Sequence, residues 1–234
     1  MDKSKYGIGL ILIIIIGLVS FLHSSYFTVE EVHIKGNNLL TRDNIIRVCE
    51  LNRQVNIFNV EQDRLINKLI NLPQVKGAVV KRDLPREVFI TVEERVPIAV
   101  ISNQKSNLVI DKQGWVLNRI DSLNNVSLPL FIDKKLVKEN NKVKLNKNSK
   151  LAVTYLSKLS KQLLKEIQEF KILSSGNVEL LLREGGRVNL GKNFNIEKKA
   201  QIFNKIYSDL KQKEVEVEYI NLKYNRNIFI KVKK

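Results

Sequence analysis

The sequence predicts an α+β protein made of one membrane-spanning helix, a small strand–helix–helix–strand–strand domain, and a mixed β domain with flanking helices. Three observations predict it. An uncharged apolar run, Gly7 to Leu22, lies near the N-terminus and has the character of a bilayer span. From Phe27 to Val96 the apolar residues switch between strand and helix periodicity in the order β, α, α, β, β. The remainder carries short β-prone runs separated by Gly and Asn turns, with amphipathic helical patterns between them.

The anchor comes first in the chain. With the flanking Tyr6 and the tail from His23 to Phe27, the uncharged stretch reaches the ~20 residues that cross a bilayer. A helix satisfies its own backbone in hydrocarbon, so the run of isoleucines is no handicap there. Tyr6 at one end and Tyr26 with Phe27 at the other resemble the aromatic belts of the two interfaces. Lys3 and Lys5 precede the run, and the next lysine is Lys35. The positive-inside rule therefore puts residues 1–6 in the cytoplasm and everything after the anchor outside. A cleaved signal peptide is the rival reading, but the exit from Ser20 to Ser25 is a poor cleavage site. A retained helix over residues 7–26 is expected.

The first folded unit is expected over residues 27–97. Val29, Val32 and Ile34 form a β-prone run closed by Gly36-Asn37-Asn38. Thr41 can cap a helix whose apolar side is Ile45, Ile46, Val48 and Cys49. A second helix should begin near Asn59 or Val60 and carry Leu65, Ile66, Leu69, Ile70 and Leu72, with Pro73 ending it. Two strands follow, Val75 to Lys81 and Glu87 to Glu94, around Arg82-Asp83-Leu84-Pro85-Arg86. The second alternates strictly, with Val88, Ile90 and Val92 on one face and Phe89, Thr91 and Glu93 on the other. A three-stranded sheet with both helices on one face buries this pattern.

The second unit is expected over residues 98–234. Asn107 to Ile110, Asp111-Lys112-Gln113-Gly114, and Trp115 to Leu117 read as a hairpin with a Gly-bearing loop. Ser149 or Asn148 can cap one helix carrying Leu151, Tyr155, Leu156, Leu159 and Leu163. Strands are expected from Glu169 to Leu173, Val178 to Leu182 and Arg187 to Leu190, with turns at Ser174 to Asn177 and Glu184 to Gly186. Asn195 precedes an amphipathic helix with Ile196, Ala200, Phe203, Ile206, Tyr207 and Leu210 on one side. Two last strands, Val215 to Tyr224 and Ile228 to Val232, flank Asn225-Arg226-Asn227.

Composition narrows the function. Hydrophobic residues at 44% and charged residues at 27% of 234 describe an ordinary globular chain. The net charge of +16 invites a nucleic-acid reading. The lysines, however, are scattered through every segment without interleaved aromatics, and the expected topology faces away from nucleic acid. Cys49 is the only cysteine, so neither an internal disulfide nor a cysteine zinc site can form, and it reads as a small buried hydrophobe. His23 and His33 lack a ligand spacing, with His23 read as interfacial and His33 as a strand residue. No serine lies in a Gly-x-Ser-x-Gly context, and Glu93 and Glu94 point to opposite faces of a strand. Gly185-Gly186 is a hairpin tip, Trp115 a half-buried strand aromatic, and Asn125-Val126-Ser127 a glycosylation sequon of the kind chance produces. No catalytic, cofactor or metal residues are assigned.

The stretch from Val79 to Ala99 carries a hairpin with a proline turn, followed by Glu94-Arg95-Val96-Pro97-Ile98-Ala99. It resembles the POTRA domain of the FtsQ/DivIB family of bacterial cell-division proteins. The hairpin around Asp111 and Gly114, then Leu128-Pro129-Leu130, is similar to the opening of that family's β domain. Asn177 to Leu180, Val188 to Gly191, Lys198-Lys199 and Tyr219 to Tyr224 continue the likeness at consistent spacing. One departure stands out: Asn221 and Lys223 occupy the family's usual acidic and arginine positions. The resemblance implies a non-enzymatic scaffold at the division septum that binds FtsB/DivIC and FtsL and helps regulate septal peptidoglycan synthesis. Other division proteins would meet the POTRA domain, and the bilayer would hold the anchor. The resemblance also implies the docking residues, Lys223 and Tyr224 with the strand Ile228, Phe229, Ile230 and Val232. The competing reading packs Tyr224 on the amphipathic helix and leaves Lys223 a solvated charge. For the whole chain, the alternatives are an anchored wall-modifying enzyme or a POTRA-bearing transport accessory.

Overall fold

A computed structural model describes residues 3–51, 55–103, 106–123, 126–133, 136–224 and 227–233, with side chains from residue 7 onward. The side chains of Lys3, Lys5 and Tyr6, Asn125 of the sequon and the Asn225-Arg226 turn lie outside the described residues. The chain divides into two compact units, Met1–Arg95 and Val96–Lys234.

The first unit opens with helix α1, Lys3–Leu22, whose isoleucines and leucines from Ile8 to Leu18 are exposed all round, while Leu22 packs against the domain core. Among the described residues no helix is long and apolar enough to cross a membrane. α1 stops at Leu22, and Ser25–Phe27 turn as a short 3₁₀ segment. Phe27, expected in an interfacial belt, is instead buried in the domain core, where Val29, Ile57 and Val88 also lie. Its neighbour Tyr26 stays exposed.

Strand β1 (Glu31–Lys35), helices α2 (Arg42–Cys49) and α3 (Gln62–Ile70), and strands β2 (Val75–Asp83) and β3 (Glu87–Glu94) follow in the expected order. The sheet order is β1-β3-β2. β1 runs parallel to β3, with Val32 opposite Val88 and Ile34 opposite Ile90, and β2 runs antiparallel to β3. Thr41 caps α2 by accepting from the Asn44 N–H at 3.3 Å. The start of α3 is later than expected. Asn56 caps a 3₁₀ turn, Ile57–Asn59, by accepting from the Phe58 N–H, and that turn uses the residues that would have begun the helix. Ile45 and Cys49 of α2, Leu65 and Leu69 of α3, and Val88, Ile90 and Val92 of β3 form one core. Burying each large aliphatic side chain stabilises the fold by about 1.5–3 kcal/mol relative to exposure.

The second unit is built on a nine-stranded sheet. Its strands are β4 (Pro97–Asn103), β5 (Ser106–Asp111), β6 (Val116–Ile120), β7 (Leu130–Ile132), β10 (Ile167–Ile172), β11 (Val178–Leu182), β12 (Arg187–Gly191), β13 (Val217–Asn221) and β14 (Phe229–Val232). Their spatial order is β14-β13-β12-β11-β10-β7-β4-β5-β6, while β8 (Val137–Glu139) and β9 (Lys142–Lys144) form a separate hairpin. Parallel neighbours require crossovers. Helices α4 (Lys147–Leu156) and α5 (Lys161–Glu166) lie on the connection from β7 to its parallel neighbour β10, and α6 (Ile196–Gln212) joins β12 to β13. Tyr155, Phe170 and Phe203 are fully buried at the centre of this unit's core.

Three expectations need correction. The single helix over Leu151 to Leu163 is two helices. Asn146, rather than Asn148 or Ser149, caps α4, accepting from the N–H groups of Asn148 and Ser149. The helix ends at Leu156, and Ser160 starts α5 by accepting from the Leu163 N–H at 3.2 Å. Asn204 of α6 holds the break open: its Oδ1 accepts from the Ser160 N–H at 2.9 Å and its Nδ2 donates to the Lys158 carbonyl at 3.0 Å. Strand β4 had not been expected. Its residues Ile98 to Ile101 are all buried, so they show no alternation. The strand expected from Val215 to Tyr224 is shorter, and Lys223 and Tyr224 lie beyond its end.

Candidate functional site

The site predicted from sequence lies at the C-terminal end of the large sheet. β14 is the last strand in the sheet order, and all four of its residues are exposed. Among the described residues it pairs with β13 alone, antiparallel, with Ile230 opposite Ile220, Phe229 opposite Asn221 and Lys231 opposite Tyr219. Lys231 Nζ lies 2.6 Å from Glu218 Oε1, and Lys233 Nζ 3.0 Å from Glu216 Oε2, so ion pairs along the ladder support the pairing. As an edge strand, β14 turns a row of backbone N–H and C=O groups outward.

Just before this strand, three separate sequence segments meet. Leu222 is buried, and its N–H donates to the Asn189 carbonyl on β12 at 2.8 Å. The Asn189 side chain accepts from the Gly191 N–H at 2.8 Å, and the Asn221 side chain accepts from the Lys223 N–H at 3.0 Å. Lys199, in the second turn of α6, is only 2% exposed, and its ammonium donates to the Leu222 carbonyl. Burial, and secondarily the charge of Lys198, lowers the Lys199 pKa from its usual value. Asn195 positions this turn by capping α6, accepting from the Lys198 N–H at 2.9 Å. The segments Val188 to Gly191, Lys198-Lys199 and Tyr219 to Tyr224, distant in sequence, thus converge on one spot.

Beyond that clamp the side chains point outward. Tyr224 is 57% exposed and Phe229 58%, and Ile228, Ile230 and Val232 are exposed with them. The packing of Tyr224 against the amphipathic helix, the competing expectation, is not what the structure has. Lys223 Nζ sits 5.1 Å from the centre of the Tyr224 ring, within range of a cation–π contact. All six expected docking residues therefore gather on one edge, although Lys223, Tyr224 and Ile228 flank β14 and β13 rather than belonging to them. Sequence reasoning missed Lys199 as part of this site, because a lysine on a helix is ordinarily solvated. Its signal was the position of Lys199 next to Ala200 on the apolar side of α6.

Other chemistry-bearing residues are engaged in structure. Glu93 pairs with Lys76, while Glu94 faces the other way and accepts from the N–H groups of Asn38, Leu39 and Leu40. His23 Nδ1 donates to the Val19 carbonyl at 2.9 Å. Burial pushes the Cys49 thiol up to about 11, so its reactive thiolate is suppressed. His33 has partners that its sequence neighbours did not announce. Its Nε2 lies 2.9 Å from Glu87 and 3.4 Å from Glu31, and its ring stacks on Phe89 at 4.6 Å. These three residues hold their ligand-capable atoms within 4.8 Å of one another on the β1–β3 pair. That grouping follows from the parallel register, which sets Glu31 opposite Glu87.

Comparison with known proteins bears on both units. The family model "Cell division protein FtsQ/DivIB, C-terminal" matches residues 99–223. The model "POTRA domain, FtsQ-type" matches residues 27–95. The cell division protein DivIB of Clostridium tetani is 26% identical over 234 residues, covering 95% of this chain and 86% of that protein. The cell division protein FtsQ of Syntrophotalea carbinolica is 24% identical over 215 residues, covering 89% and 75% respectively. FtsQ of Rickettsia prowazekii is 30% identical over 93 residues, 40% of this chain and 35% of that protein. The C-terminal match alone spans more than half of the 234 residues and contains Val188 to Gly191, Lys198-Lys199 and Tyr219 to Lys223, so the chain belongs to the FtsQ/DivIB family of cell-division proteins.

Proposed function

We propose that this protein is a non-enzymatic scaffold of the division septum whose β14 edge receives a strand from an FtsB/DivIC-type partner, with FtsL-type protein in the same assembly. Through that assembly it helps regulate septal peptidoglycan synthesis. Membership of a cell-division family supports a place in the division machinery. The observation that carries the docking reading is an edge strand with every residue exposed, lined by Tyr224, Ile228, Phe229, Ile230 and Val232. An added strand would gain affinity from backbone bonds and register from these side chains. Tyr224 has the profile of an interface anchor, a large apolar ring with a hydroxyl. Lys223 offers a point charge to an acidic partner residue but lacks the bidentate fork of arginine, so it contributes less than the family's usual residue.

In the same reading, α1 anchors the chain in the cell membrane with its N-terminus in the cytoplasm. Its apolar run, Gly7 to Leu22, rises about 24 Å as a helix, most of a hydrocarbon core of about 30 Å, and the Lys3/Lys5 bias sets the direction. The Phe89, Thr91, Glu93 face and the sheet edges of the POTRA domain are a second contact surface for other division proteins. The test of the docking edge uses Tyr224→Ala and, separately, a proline placed within β14, each checked for an unchanged melting transition. Both are expected to weaken binding of the FtsB/FtsL pair at least tenfold, about 1.4 kcal/mol. Wild-type affinity in both folded variants would rule this edge out.

A further inference from the structure

We propose that the end of the POTRA unit from which α1 emerges is a seat on the bilayer surface, made by Tyr26, Phe58 and Leu84. The inference rests on the reading of α1 as a membrane anchor and extends it from the helix to the folded domain. Backbone topology brings the three residues to one end. Because β1 is parallel to β3 with Glu31 opposite Glu87, the tip between β2 and β3 lies where the chain arrives from α1. The 3₁₀ turn that holds Phe58 is tied to the same end: Asn56 Nδ2 donates to the Leu22 carbonyl at 2.8 Å, and Asn56 bridges to Thr28.

Aromatic rings run from the helix onto this end of the domain. Phe21, on the last turn of α1, meets Phe27 at 5.2 Å between ring centres, and Phe27 meets both Tyr26 and Phe58 at 5.0 Å. Phe27 is buried beneath them, but Tyr26 is 50% exposed, Phe58 42% and Leu84 58%. Two arginines border the patch. Arg82 Nη1 donates to the Phe58 carbonyl at 3.3 Å, and Arg86 Nε donates to the Tyr26 carbonyl at 2.9 Å with its guanidinium 5.4 Å from the Tyr26 ring.

A bilayer fits this surface because the patch continues directly into a helix that is apolar on every side. Exposed aromatics with arginines around a helix exit match the headgroup level, where rings sit at the interface and long cationic side chains reach toward phosphates. Glu30 pairs with Arg86 at 2.6 Å, and Asp83, Glu31 and Glu87 lie at the same end. Local charge is therefore mixed, and the seat depends on insertion of apolar groups rather than on attraction to anionic lipid.

The experiment uses the full chain in a Trp115→Tyr background, which removes the single native tryptophan. Phe58→Trp, Leu84→Trp and the ring-for-ring Tyr26→Trp then each supply one reporter. Leu39→Trp is the control, an exposed position after the far end of β1. Each protein is reconstituted in phosphatidylcholine–phosphatidylglycerol vesicles with or without acyl chains brominated near the headgroup. Fluorescence at positions 26, 58 and 84 is expected to fall about twofold with brominated lipid, at high as at low salt, while position 39 stays unchanged. Protein that floats with the vesicles yet shows no quenching at the three positions, or equal quenching at position 39, overturns the seat. Protein that fails to float overturns the anchor itself, and the seat with it.

Discussion

The hydroxyl of Tyr155 is buried and finds no hydrogen-bond partner among the described residues. Burial raises its pKa far above that of an ordinary phenol, because the charged form has no water to solvate it. The ring itself is well placed, 6.1 Å from Phe170 and 5.8 Å from Phe194 between centres. Tyr155→Phe keeps those contacts and removes the orphaned donor, so it is expected to raise unfolding stability by about 1 kcal/mol in a denaturant titration. A loss of similar size would mean that the hydroxyl has a partner in solution. Lys199 is the contrasting buried polar group: its ammonium has an acceptor, and that acceptor is the Leu222 backbone just ahead of Lys223 and Tyr224. Its helical neighbours identify its face, but no sequence rule identifies its acceptor, which lies on another element.

At the scale of elements, the approach to β14 depends on a close contact between β12 and the chain after β13. Gly191 ends β12 with φ of 81°, and a Cβ there would come within 3.0 Å of Lys223 Cγ and 3.3 Å of Lys223 Cα. Gly185, at the hairpin tip, has a similar φ of 86° but open space around it. The two glycines separate backbone strain from contact. Gly185→Ala is expected to cost about 1 kcal/mol for the left-handed conformation alone. Gly191→Ala should cost about 1 kcal/mol more and speed hydrogen exchange across residues 222–224. Equal costs at the two positions would show that Lys223 is not held against β12. The turns and caps were largely legible, since Thr41, Asn195 and the glycine turns act locally. The break between α4 and α5 was not. Leu156, Leu159 and Leu163 keep helical spacing across it, and the groups that open it belong to Asn204 on another helix.

For the whole molecule, the two units have separate cores, one gathered around Ile45, Leu69 and Ile90 and the other around Tyr155, Phe170 and Phe203. Separate cores imply separate cooperative transitions. A fragment from Tyr26 to Ala99 retains every buried residue of the first core, losing only the packed Leu22 side chain, and is expected to unfold in one sigmoidal step by circular dichroism. It loses the bond from Asn56 to the Leu22 carbonyl and the Phe21 ring, so its midpoint should fall below that of the same unit in the full chain. A featureless melt would show that the POTRA unit depends on the rest of the chain for its fold.

The sequence by itself determined the order of elements in the POTRA unit, the alternation that buries Val88, Ile90 and Val92, and the amphipathic face of α6. Each of these is written in the spacing of neighbouring residues, over a few turns or one strand. It also carried the motifs that mark the family. Tertiary structure alone decided where those motifs meet. A sheet order in which β13 lies beside β12 and β4 beside β7 joins strands far apart in the chain, and pattern within a segment does not encode its neighbour. That order makes β14 an edge, turns Tyr224 to solvent, and sets Lys199 against Leu222. The sequence named Lys223, Tyr224, Ile228, Phe229, Ile230 and Val232 through a family likeness, and the long-range pairing of the backbone gathered them along and beside one edge strand.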